Sequence, residues 1–204
     1  MNPSGETPAI AVVNLREFFH DSVQQALKHQ HVDVGDHTEH YVVNVLTTFA
    51  RSEALYDNTD SHALPPLVNL LAAAQDAPTA EQRNQLMQRL GDVSLFVAGF
   101  FAHSFARKLV DVDYHIAMGG RAYATLADNT RGVRGRAIAS VFTELAVKFQ
   151  RVVDVLNEVA DMAKPASDKD VLRLYEIWLK TGSPRARNLL SQLGVQPVAV
   201  SARA

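Results

Sequence analysis

Apolar side chains recur at steps of three and four along most of this chain, the spacing that lines one face of an α-helix. The stretch Val93 to Ala106, VSLFVAGFFAHSFA, departs from that pattern by being apolar around its whole circumference. A surface helix keeps a polar face, so this one is expected to be buried on every side. It is too short for a membrane span, which needs roughly 20 apolar residues. Arg107 and Lys108 close it, and the polar turn Arg89 to Asp92 leads into it. The pattern predicts an all-α, single-domain, multi-helix bundle around this central helix (residues 93–106).

The other elements follow from caps and breakers. Asn14 caps a helix to His29 with Leu15, Phe18, Phe19, Val23, Ala26 and Leu27 on one face. After a linker containing Gly35, Asp36 or Thr38 caps a second helix to Tyr56, burying Val42, Val45, Leu46 and Phe49. Pro65 and Pro66 suit the first turn of a short helix, LVNLLAAAQ. Thr79 with Gln82 forms a capping box for the long helix that becomes the central one. In YHIAMGGRAYATLA, the small residues Ala117, Gly120 and Ala124 predict a strip where another backbone approaches closely. The turn DNTRGVRG separates it from the longest regular pattern, Ile138, Phe142, Leu145, Phe149, Val152, Leu156, Val159 and Ala163. That is a heptad seam over residues 137–163, as in bundles with shallow crossing angles. Pro165 ends it, Ser167 or Asp168 caps another helix, and Gly182, Ser183 and Pro184 start a last short one. Residues 1–11 and 195–204 are expected to be loose tails of the one domain.

Composition narrows the partners. With 204 residues, 47% of them hydrophobic, the chain can bury a full core. A net charge of -2 offers no global attraction to nucleic acid or anionic lipid, so neither nucleic acid nor membrane is expected as a partner. The absence of cysteine excludes disulfides, thiolate metal sites and a cysteine nucleophile, and suits a reducing cytoplasm. The apolar part of the first residues is shorter than a secretory signal requires. The protein is expected to be cytoplasmic.

Candidate chemistry centres on the buried helix. His103 lies one turn beyond Gly99 within it, and His115 follows on the next helix after Asp111. Phe96, Gly99, His103, Asp111, His115, Gly119 and Gly120 form a candidate ligand-binding set, in which Gly99 leaves room and His103 is the polar anchor. Arg131, Arg134 and Arg136, spaced by glycines before the heptad helix, are a candidate anion site. His37 and His40 flank Glu39 but lack the zincin spacing, and read as solvated histidines. Glu39 and Glu53 border an apolar face, yet a di-iron bundle needs two Glu-x-x-His pairs and only Glu17 with His20 is present. No metal site is therefore expected. Nor does any serine stand in a nucleophile elbow, so no catalytic residue is assigned.

Leu90-Gly91-Asp92-Val93-Ser94 is similar to the Leu-Gly-Asp-Leu-Ser that opens the distal helix of heme oxygenases, and His20 lies in a first helix as their proximal ligand does. The resemblance implies an all-α fold and heme as a cofactor. Where that family continues with a glycine pair, this chain has Leu95 and Phe96, and around His20 it has Arg16 and Gln24 where threonine and glutamate are usual. The leading expectation is a non-catalytic helical protein without a cofactor, a homodimer acting through protein contacts or a bound apolar molecule. The region of Gly99 and His103 is expected at the dimer interface or in a pocket beside it. The alternative is a heme- or metal-dependent enzyme of heme-oxygenase-like or di-iron architecture, using His20, His103 or His115.

Overall fold

The computed structural model describes residues 14–56, 66–100, 112–130, 136–162, 171–192 and 195. Among these residues there are eight α-helices and no strand: α1 (Asn14–His29), α2 (Asp36–Tyr56), α3 (Leu67–Gln75), α4 (Ala80–Phe100), α5 (Val112–Asn129), α6 (Arg136–Met162), α7 (Val171–Thr181) and α8 (Pro184–Gln192). No described helix is long and apolar enough to cross a membrane.

Helices α4 and α6 organise the bundle. Helix α4 packs on α3, α5 and α6 and touches α2, while α6 also meets α1, α2, α5 and α8. Helix α4 starts where Thr79 Oγ1 accepts the Gln82 backbone N–H at 3.2 Å, satisfying one of the amides a helix start leaves open. Its first turns keep a wet face, whereas Val93 to Gly99 are all buried. The all-round apolar pattern thus marks a helix enclosed on every side, up to the end of the described segment at Phe100.

The α6 seam is as the heptad spacing predicts. Phe142, Leu145, Phe149, Val152, Leu156 and Val159 are all buried, Ile138 at the open end is substantially exposed, and Ala163 lies outside the described residues. Removing one such side chain from water is worth about 1.5–3 kcal/mol, so this seam alone explains why α6 is continuous. In α1, Phe19, Val23, Ala26 and Leu27 are buried, but Phe18 lies outside the core.

Helix α5 corrects the sequence expectation. Its buried strip is Val112, His115, Gly119, Ala122, Tyr123, Leu126 and Ala127, while Ala117 and Ala124 are exposed and Gly120 is half-buried. The large side chains Tyr123 and Leu126 gain most from burial and set the rotation. Gly119 then becomes the point of close approach: a Cβ there would lie 2.2 Å from Phe149 Cζ, against 3.8 Å for the nearest atom to one on Gly120.

Candidate functional site

Among the described residues, the structure places Phe96, Gly99, His115 and Gly119 of the candidate ligand-binding set inside the packing. The space in front of Gly99 is occupied by Leu156 of α6, whose Cβ lies 2.5 Å from where a Gly99 Cβ would stand. Gly119 is covered by Phe149 and Ser94. Phe96 stacks on Phe49 and on Phe100, with ring centroids 4.7 and 5.4 Å away. His115 is buried, and loss of solvent lowers it to about 4, so its imidazole is neutral at ordinary pH. His103, Asp111, Arg131 and Arg134 lie outside the described residues. Arg136 is exposed at the first position of α6.

Sequence reasoning did not single out the most developed polar constellation, which Asp92 organises. Gly91 lets the Tyr123 ring lie directly on the α4 backbone, since a Cβ there would be 2.7 Å from Tyr123 Cε1. The Tyr123 hydroxyl then donates to Asp92 Oδ1 at 2.7 Å, and the Tyr41 hydroxyl donates to the same oxygen at 2.6 Å. Gln88 Nε2 donates to the Tyr41 oxygen at 3.0 Å. Phe142 walls the group, stacked against Tyr123 and edge-on to Tyr41. One carboxylate oxygen therefore ties α2, α4 and α5 together against α6. The signal available in the sequence was Gly91-Asp92 at the entrance to the apolar run that starts at Val93.

Burial is the dominant influence on this carboxyl. It raises Asp92 to about 6, against the lowering effect of the two phenol hydrogen bonds and the Arg89 charge. Burial and the Asp92 charge push both tyrosine hydroxyls upward, so they remain protonated donors. The arrangement can bind and release a proton, but its chemical capacity is spent on joining helices.

A second buried acid, Asp154 on α6, holds the C-terminal hairpin. Its Oδ1 accepts from Ser183 Oγ at 2.7 Å and from Gln150 Nε2 at 3.0 Å. Ser183 Oγ in turn accepts the Ala186 N–H, capping α8. Arg185 pairs with Asp161 beside it.

The histidines of α1 and α2 form an open cluster. His20 Nε2 lies 3.5 Å from Glu39 Oε1, its ring is 6.1 Å from that of His40, and His40 Nδ1 donates to the Asp36 carbonyl at 2.7 Å. Among the described residues, no group of three or more such side chains is placed to hold a metal ion. Nor do the residues of the heme-oxygenase-like pentapeptide fit a heme. Leu90 and Val93 are core, Gly91 and Asp92 serve the two tyrosines, and Ser94 lies against α5. Leu95 and Phe96, at the positions of the family's glycine pair, are buried in the core. Comparison of the chain with protein families, curated proteins and solved structures gives no match.

Proposed function

We propose that this is a non-catalytic, cytoplasmic helical module that works by protein contact, with a second copy of itself as its first partner. The observation that carries the reading is the orientation of α5. Ala117 and Ala124 are exposed and Gly120 between them is half-buried beside α6, so this small strip, suited to close approach of another backbone, lies at the edge of the chain's own packing. Gly120 adjoins the carbonyl of Ala146 on α6, and Val147, the next residue of that helix, is 80% exposed. Such a face lets a second helix pair approach closely, and a two-fold contact is the commonest closed assembly. Binding of an apolar molecule within the bundle has less support, because Leu156 and Phe149 take the room at Gly99 and Gly119.

Sedimentation velocity at micromolar concentration tests the proposal. The parent chain is expected to sediment as a dimer, and a chain with Ala124→Glu and Val147→Glu as a monomer of unchanged helical circular dichroism. A monomeric parent chain would overturn the reading.

A further inference from the structure

The elbow between α1 and α2 carries features that the packing of the bundle does not require. Its backbone closes α1 through Val32 N–H to Leu27 C=O at 3.0 Å and His31 N–H to Lys28 C=O at 3.3 Å, the paired bonds that end many helices. The residue that must then turn left-handed is ordinarily glycine. Here it is His31, at φ 53°, so a side chain is kept where its absence would relieve the backbone.

That side chain borders a surface cleft of about 400 Å³. Lys28 and His31 bring basic groups to the lining of the cleft, and Asp33 and Glu39 bring acidic ones. Leu27, Val32 and Val34 supply apolar surface. Glu39 Oε1 is buried and takes no hydrogen bond, with His20 Nε2 at 3.5 Å its ion-pair partner. A buried carboxylate oxygen is normally hydrogen-bonded, and leaving it short of a donor is costly. The elbow is also fixed from behind by α6. Lys148 Nζ donates to the Asp33 carbonyl at 2.6 Å, the Gly35 N–H donates to Glu144 at 3.0 Å, and Gln30 donates to Glu158 at 2.7 Å. The cleft is thus held open in shape before anything enters it.

We propose that this cleft binds a small zwitterion with an apolar side group, of the size and kind of an aliphatic amino acid. The ammonium is received on the Glu39 and Asp33 side. The carboxylate lies toward Lys28 and His31, and the side group rests on Leu27, Val32 and Val34. Basic and acidic side chains that line one cleft together with apolar surface match the two ends of such a molecule, and neither a simple anion nor a simple cation uses both.

The test is an amide-resolved NMR titration of the full chain with L-leucine, N-acetyl-leucine and leucinamide, alongside thermal melting of His31→Gly and Glu39→Gln. Leucine should shift the amides of residues 24–39 saturably in the millimolar range. Each blocked form should bind about tenfold more weakly, the scale of one charge-assisted hydrogen bond. Glu39→Gln should weaken leucine to the same degree. His31→Gly should melt higher than the parent while binding about tenfold more weakly, a combination that a purely structural histidine would not give. Absence of a saturable shift, blocked forms that bind as well as leucine, or unchanged leucine binding by His31→Gly or Glu39→Gln would each overturn the proposal.

Discussion

Asp92 and Asp154 are both buried aspartates on core helices, and burial raises both, yet they are satisfied in different ways. Asp92 takes hydroxyls from Tyr41 and Tyr123, which stand 51 and 31 residues away in the chain. Asp154 takes Gln150 from its own helix and Ser183 from the cap of α8. The first acid gains one phenol when α2 or α5 packs on α4 and both only when three helices are in place, so it reports on the assembled core. The second attaches a peripheral helix by its natural start signal. The source of the donors decides what a buried acid holds: phenols from two other core helices make a clasp, and the cap of a peripheral helix makes an attachment point.

Removing the clasp should have the largest effect. Asp92→Ala leaves two buried hydroxyls without their acceptor, and should lower stability to urea by about 2–4 kcal/mol. A variant within experimental error of the parent chain would mean that Asp92 is tolerated and does not stabilise.

The dependence on pH sharpens the same contrast. Asp92 is raised from 3.8 to about 6, so the folded state binds its proton more tightly than the unfolded state. Its contribution is fully present below the unfolded value and is lost as pH rises to about 6. His115 is lowered from 6.5 to about 4, so its contribution is present above 6.5 and is lost as pH falls towards 4. Across the shared window the two slopes oppose each other, and the parent protein should change little. Asp92→Asn should expose the histidine's slope, with stability falling as pH drops from 6.5 to 4 by about 2–3 kcal/mol. His115→Gln should expose the opposite slope. Equilibrium unfolding at intervals across that range reads both; parallel curves for the two variants would refute the assignment.

The smallest expected effect is at Asp154. Asp154→Ala removes the acceptor of the Ser183 hydroxyl while leaving the Ser183 cap itself, and should cost about 1 kcal/mol. The readout is local: hydrogen exchange should quicken in α7 and α8 while the amides of α4 and of the α6 core keep their protection. Equal acceleration in the core would erase the distinction from Asp92.

Much of the fold was legible because its signals are local. Thr79, the proline-marked helix starts and the α6 seam depend on residues within a turn or two of one another, and the helices begin and end close to where those signals lie. What was not legible depends on partners remote in sequence. Gly119 and Gly120 differ by 100° of rotation, and the spacing of Ala117, Gly120 and Ala124 favoured the second. The bulk of Tyr123, Leu126 and Phe149 decides for the first. Gly99 signalled room, but not that Leu156, 57 residues later, fills it. Of the candidate ligand-binding set, the described members are placed by packing, and the cleft at the elbow was not anticipated because none of its residue types is unusual alone.

The stitches between the elbow and α6 carry a consequence for synthesis. Glu144, Lys148, Asp154 and Glu158 meet partners 109 to 129 residues earlier in the chain. At about 5–20 residues per second, the helix that pins the elbow is made roughly 5–25 seconds after it. Until then the apolar faces of Phe19, Val23, Val42 and Leu46 on α1 and α2 lack their final cover. The first quarter of the molecule is therefore the part most in need of shielding while the rest is being made.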